Sequence, residues 1–182
     1  MTDEIKVIEA SDGSREWFRN GKRHRDDGPA VEYANGSRHW YRNGKLHRDD
    51  GPAIEYADGS CKWFRNGELH REDGPAVEYA NGSCEWFLND ERHREDGPAV
   101  EYADGGREWY WSDLADGRGH QFGFRRGADG TTHYVAGCHK WPSLEAALAH
   151  YGAKYRGDGN RDECISLLHE VAVRIAKQEE MK

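Results

Sequence analysis

The stretch AVEYANGSRHWYRNGKLHRDDGP, residues 30–52, is followed by AIEYADGSCKWFRNGELHREDGP at 53–75 and by AVEYANGSCEWFLNDERHREDGP at 76–98. The period is 23 residues each time. Outward from this block, Trp17, Trp40, Trp63, Trp86 and Trp109 mark five copies. His24, His47, His70 and His93 each open a segment H-R-x-D-G-P-A that ends at Ala30, Ala53, Ala76 and Ala99. A fixed period of this length is the signature of a repeat array, in which one small unit cannot bury its apolar face alone and must stack on its copies.

Each copy reads as a β-hairpin. Ala30-Val31-Glu32-Tyr33-Ala34 forms a short strand, Asn35-Gly36 a two-residue turn, Ser37 to Arg42 the return strand and Asn43-Gly44 the next turn. Asn-Gly and Asp-Gly tolerate the positive φ that tight turns require. The same marks stand at Asp12-Gly13, Asp58-Gly59, Asn81-Gly82 and Asp104-Gly105, and at Asn20-Gly21 and Asn66-Gly67, with Asn89-Asp90 as the departure. The fold class expected is mainly β: a meandering antiparallel sheet of tandem hairpins with a small C-terminal α+β cap. A single hairpin is marginal in water, so the copies must pair edge to edge.

Register decides which side is inside. Closing the turn at Asn35-Gly36 pairs Tyr33 with Arg38, Glu32 with His39 and Val31 with Trp40. Val31, Tyr33, Arg38 and Trp40 then share one face, and Glu32, His39 and Tyr41 the other. On this reading the Val/Tyr/Trp side is buried, with one indole from each copy in a shared dry layer. The opposite side, carrying the rings Phe18, Tyr41, Phe64, Phe87 and Tyr110 with Glu32, Glu55, Glu78 and Glu101, is the candidate binding surface.

The periodicity stops beyond Tyr110. The organisation expected is a lead-in at 1–11, the array at 12–112, and a cap at 113–182 that seals the last hairpin. Within the cap, residues 120–141 read as one more hairpin around Asp129-Gly130, and Leu144 to Tyr151 as a short helix. A second helix is capped by Asn160 with Glu163 reaching back, and Ile165, Leu167, Leu168, Val171, Ala172, Ile175 and Ala176 recur at helical spacing.

Charge narrows the partners. The chain carries a net charge of −8, and residues 1–112 hold 16 Lys+Arg against 24 Asp+Glu while 113–182 hold 10 against 10. All the excess acidity belongs to the array, so a charge-driven partner is basic and phosphate backbones are disfavoured. No apolar run approaches the roughly 20 residues that span a bilayer, and Met1 to Ala10 has no basic start followed by an apolar stretch. The expectation is a cytoplasmic chain without a membrane. Cys61 and Cys84 occupy equivalent positions about 9.5 Å apart on successive hairpins, beyond the roughly 7 Å a disulfide allows, which fits a reducing compartment.

The segments Asn43-Gly44-Lys45-Leu46-His47 and Tyr56-Ala57-Asp58-Gly59-Ser60 resemble MORN-type repeats, over roughly Asp12 to Tyr110. The segment after His is longer here (Arg48-Asp49-Asp50-Gly51-Pro52), and the strand after Asp-Gly lacks that family's inner glycine. The chain is more similar to the variant MORN-like arrays of bacterial and phage proteins, some of which are described as antitoxins. The resemblance implies a hairpin-stack scaffold that binds proteins or, in some eukaryotic members, lipids.

Chemical constellations are few. The periodic histidines lie about 9.5 Å apart on successive hairpins and cannot share one ion at a ligand distance near 2.1 Å; packing beside the Trp face or bonding to their own loop accounts for them. Arg48 with Asp49 and Asp50 reads as a turn in which Asp accepts backbone N–H groups ahead of Gly-Pro. His133, Cys138, His139, Cys164 and His169 lack zinc-site spacing. There is no G-x-S-x-G elbow and no phosphate-cradling glycine loop. Arg19, Arg42 and Arg65, each two residues after a Trp, raise single-strand nucleic-acid binding, which the acidic surplus opposes.

The reading is a noncatalytic scaffold that binds a protein, with no metal or cofactor; the resemblance adds an antitoxin, immunity or phage-encoded inhibitor role. Its rivals are an enzyme in the C-terminal region using Cys138 or His139, and nucleic-acid or lipid binding.

Overall fold

The computed structural model describes residues 5–115, 120–136, 139–154 and 160–180. It divides into two compact units, Met1–Glu91 and Arg92–Lys182. The fold is mainly β, as the repeat pattern requires.

In the first unit the antiparallel sheet runs Ile5–Glu9, Arg15–Arg19, Val31–Glu32, Arg38–His39, Ile54–Glu55, Cys61–Lys62, Val77–Glu78 and Cys84–Glu85, each strand pairing with its neighbour in that order. The lead-in contributes the first of these strands, and its five residues are all exposed. Each copy also forms a two-stranded ribbon of its own, such as Tyr41–Arg42 with Lys45–Leu46. The chain divides its bonds between sheet and ribbon at the tryptophan. The Trp40 N–H donates to the Ala53 carbonyl of the next copy at 2.8 Å, and the Trp40 carbonyl accepts from the His47 N–H at 3.1 Å.

The two Asn-Gly dipeptides of a copy make different turns. At Asn43-Gly44 both residues have positive φ, 53° and 84°, the two-residue type I′ geometry expected. At Asn35-Gly36 only the glycine does, with φ 92°. The Gly36 N–H donates to the Tyr33 carbonyl and the Tyr33 N–H to the Ser37 carbonyl, both at 2.9 Å, so the loop is three residues long and closes with a left-handed glycine. Asn35 Oδ1 accepts the Ser37 N–H at 2.9 Å, which favours this loop over the shorter one.

That extra loop residue corrects the expected register. Val31 lies opposite His39 and Glu32 opposite Arg38, instead of Val31 opposite Trp40. A slip of one residue exchanges the faces of the return strand. Trp40 therefore belongs with Glu32 and Arg38, and Val31 with Tyr33 and His39. The buried set in this unit is the aliphatic stripe Ala30, Val31, Ala53, Ile54, Ala76 and Val77. Trp17, Trp40 and Trp63 are half-buried and form no dry layer, and Tyr33, expected inside, is exposed.

The second unit holds the larger apolar core. Strands Val100–Glu101, Arg107–Ala115, Gln121–Arg126, Thr132–Ala136 and His139–Trp141 pair in that order, followed by helices α1 (Leu144–Lys154) and α2 (Asn160–Glu180). The expected hairpin around Asp129-Gly130 and both helices are present. Ser143 caps α1, its Oγ accepting the Ala146 N–H at 3.1 Å. Cys164, Leu168, Val171 and Ile175 recur at helical spacing on the buried face of α2, in one cluster with Phe122, Phe124, Trp141 and Tyr151. Trp109 stacks on Phe124 with ring centres 4.6 Å apart.

Candidate functional site

The H-R-x-D-G-P-A segment builds the same device in three successive copies. Arg48 lays its guanidinium over the Trp40 ring, 4.1 Å from the ring centre. Its Nε donates to Asp50 at 3.0 Å, and its Nη1 to the Pro52 carbonyl at 3.3 Å and to Glu55 at 2.9 Å. Gly51 closes the other side of the guanidinium: a Cβ there would stand 3.0 Å from the Arg48 Cζ. Arg25 on Trp17 and Arg71 on Trp63 repeat the contact at 4.2 and 4.1 Å. A guanidinium over an indole gains from the ring quadrupole, and planar donors suit several acceptors at once. The Asp of the motif thus accepts from arginine, where the sequence alone pointed to backbone N–H groups.

The histidines join neighbouring copies. His24 Nδ1 accepts the Asn43 backbone N–H at 3.0 Å, and its Nε2 lies 2.8 Å from Asp26. His47 repeats this with the Asn66 N–H at 3.0 Å and Asp49 at 2.9 Å. At His24 an Nδ1 that accepts makes Nε2 the donor facing Asp26, while at His47 the Arg42 Nη1 also stands 2.7 Å from Nε2. The serines add a second link. Ser14, Ser37 and Ser60 Oγ accept the N–H of Ala34, Ala57 and Ala80, at 3.0–3.1 Å, each one copy further on.

Between successive copies lie clefts of about 540 and 750 Å³, lined by Trp40, Arg42, His47 and Asp49 in one and by Trp63, Arg65, His70 and Glu72 in the other. Their charges are paired. Arg42 bonds Asp49 at 2.5 Å, Arg65 bonds Glu72 at 3.1 Å, and Arg19 bonds Asp26. The Asp26 and Glu72 carboxyls lie below their usual range, chiefly through the hydrogen bonds of His24 and His70, and that of Asp49 chiefly through Arg42. The arginines that raised nucleic-acid binding are therefore engaged with carboxylates of their own copies.

Within the H-R-x-D-G-P-A segment the arginine and the acids point in opposite directions. The motif arginines Arg25, Arg48 and Arg71 expose 22–24 % of their side chains, whereas Asp27, Asp50 and Asp73 expose 84–85 %. Asp26, Asp49 and Glu72 beside them expose 64–73 %. The result is a rim of paired acids, one pair per copy, with the motif arginines turned inward, while Arg42 and Arg65, which bond Asp49 and Glu72, stay 51 % and 58 % exposed.

The residues expected to form one binding face fall on two. Arg15 lies opposite Glu32, so Phe18, an odd number of residues further along the strand Arg15–Arg19, is on the other side of the sheet. Likewise Arg107 lies opposite Glu101, and Tyr110 is on the other side, buried, its hydroxyl donating to Glu108 at 2.8 Å. Burial pushes the Tyr110 phenol well above its ordinary value, with Glu108 adding to it. Phe18, Tyr41, Phe64 and Phe87 are half-buried. Glu32, Glu55, Glu78 and Glu101 accept from Arg25, Arg48, Arg71 and Arg94 at 2.9–3.1 Å. The sequence reading passed over the exposed Tyr33, Tyr56 and Tyr79 and the outermost Asp of each loop. Their 23-residue recurrence was a visible signal, and the register error hid the first set.

In the second unit His139 is exposed, its ring 5.8 Å from Trp141 and 5.5 Å from His150, while Cys138 lies outside the described residues. Cys164 is buried in the core, and burial pushes the Cys61 thiol above its ordinary value. Among the described residues no group of three or more His, Cys, Asp or Glu is placed to hold a metal ion, and no helix is long and apolar enough to cross a membrane. No protein-family model matches the chain, and no curated protein matches it.

Proposed function

We infer that this chain is a noncatalytic scaffold that captures a protein with a basic surface. The observation that carries this reading is the charge separation in each loop, with arginines stacked inside on tryptophan and acid pairs on the rim. Glu32, Glu55 and Glu78 hold those arginines in place, so the role proposed for them is internal, and the rim acids take over the contact with the partner. Acid pairs recurring once per copy offer a basic partner several charge-assisted contacts at a regular spacing. The resemblance to MORN-like arrays of bacteria and phages supports an inhibitor or antitoxin as the physiological form.

Affinity capture from cell extract at low salt, with elution by a salt gradient, tests the reading. The retained protein should be basic and should elute as salt rises to about 0.5 M, where screening shortens the range of exposed charges to a few ångströms. Retention only of neutral or acidic proteins that do not respond to salt contradicts it.

A further inference from the structure

A second regular surface lies on the other face of the first unit. Tyr33, Tyr56 and Tyr79 each follow the two-residue strand of their copy, and each exposes 36–39 % of its surface, more than the other repeating rings of the array. Their strands alternate with return strands in the sheet, so consecutive tyrosines are two strands apart, about 9.5 Å. The spaces between them are furnished. The His39 ring meets Tyr33 edge-on at 4.9 Å and Tyr56 at 6.1 Å, the Lys62 ammonium stands 5.7 Å from the Tyr56 ring, and the Tyr79 hydroxyl donates to Glu85 at 2.8 Å.

We propose that this tyrosine ladder binds a proline-rich segment in the polyproline II conformation. The spacing selects the occupant. A polyproline II helix rises 3.1 Å per residue with three residues per turn, so equivalent side chains recur about every 9.3 Å. Three rungs and two turns then differ by less than about 0.5 Å. An extended strand presents same-face residues about 6.7 Å apart, and an α-helix repeats every 5.4 Å, so neither keeps step with the rungs. The chemistry agrees. Aromatic faces receive pyrrolidine rings, the Tyr33 and Tyr56 hydroxyls donate to carbonyls that polyproline II leaves without internal partners, and the stiff ligand loses little entropy on docking.

Charge sets the finer preference. Lys62 and Glu85 occupy equivalent positions one copy apart, on the face of the tyrosines. One copy corresponds to three residues of the ligand. The preferred segment therefore carries an acidic residue over Lys62 and a basic one three residues away over Glu85. This surface is separate from the acidic rim, which leaves from the loops beside Trp40, so either surface can fail without the other.

The test uses the full chain and fluorescein-labelled decaproline, read by fluorescence anisotropy, with a Gly-Ser peptide of equal length as the flexible control. Decaproline should bind saturably and the control should not. Tyr56→Ala should weaken binding at least about tenfold, and Tyr56→Phe, which keeps the ring, about two- to threefold. A proline peptide carrying Glu and, three residues on, Arg should bind more tightly than decaproline, and Lys62→Glu should remove that gain. No saturable binding of decaproline up to about 1 mM, a weak limit for a specific site, overturns the proposal, as does equal binding by Tyr56→Ala with its circular dichroism unchanged. If Tyr56→Ala disturbs the fold, the Tyr56→Phe and Lys62→Glu results decide, and no loss in either also overturns it.

Discussion

The backbone N–H of Asn66 donates to Nδ1 of His47 across 3.0 Å, and the two residues belong to different copies of the repeat. The histidine is 7 % exposed, so this bond is made where water competes poorly. His47→Ala leaves the Asn66 N–H without its acceptor, at a cost of about 1–3 kcal/mol. For a unit of this size that lowers the melting temperature by roughly 4–8 °C per kcal/mol. Thermal unfolding followed by circular dichroism checks it. His47→Asn, which can present an acceptor nearby, should lose less.

Arg48 and Gly51 act on one another. Gly51→Ala brings a methyl to 3.0 Å from the guanidinium carbon and pushes Arg48 off Trp40. Arg48→Ala removes the same stack and three hydrogen bonds, which should cost about 2–4 kcal/mol. The two losses overlap, so the double variant should be less destabilised than the sum of the singles by about 1 kcal/mol or more. Urea unfolding of the four proteins in the cycle measures it. Arg48→Lys should behave more like alanine than like arginine, because an ammonium cannot stack flat and bond several acceptors in one plane.

The hairpins, the 23-residue period and both helices of the tail were legible in the sequence, because turn residues and apolar spacing are local signals. The faces were not. Asn35-Gly36 and Asn43-Gly44 are the same dipeptide, but the Ser37 N–H bonds the Asn35 side chain in the three-residue loop, whereas the Asn43 N–H of the two-residue one is held by His24 of the preceding copy. One residue of slip moved Trp40 from the side of Val31 to the side of Glu32 and inverted the expected binding face. The role of Arg48 was equally hidden. Its acceptors Asp50, Pro52 and Glu55 are close in sequence, but Trp40 reaches it only once the ribbon has folded back.

Acid should weaken the array. Asp26, Asp49 and Glu72 are held below their ordinary values in the folded chain, so their contribution is present above the unfolded value, about pH 4, and is lost as pH falls through the folded values. The melting temperature should change little between about pH 7 and 5 and drop below about pH 4. Asp49→Asn should make that drop shallower. An unaltered acid limb in this variant would mean that Asp49 contributes nothing to it.

The fourth copy tests the cost of a left-handed backbone. Asp90 has φ 66° where the other copies have glycine, and its carboxylate accepts the Leu69 N–H at 2.7 Å. Strain and bond are of similar size, each about 1 kcal/mol. Asp90→Gly should therefore shift stability by less than about 1 kcal/mol, whereas Asp90→Ala keeps the strain, loses the bond and should cost about 1–2 kcal/mol. Urea midpoints separate the two.

The central claim is that Asp27, Asp50 and Asp73 serve the partner while Arg25, Arg48 and Arg71 serve the fold. The most direct measurement is capture of the salt-eluted partner by a chain carrying Asp27→Asn, Asp50→Asn and Asp73→Asn, at matched protein concentration. Asparagine keeps an oxygen that accepts from the arginine Nε, so the melting temperature should stay within about 3 °C of the parent, as expected for exposed positions. Loss of partner retention in that folded variant is the result expected. Retention equal to the parent at the same salt concentration would contradict the account.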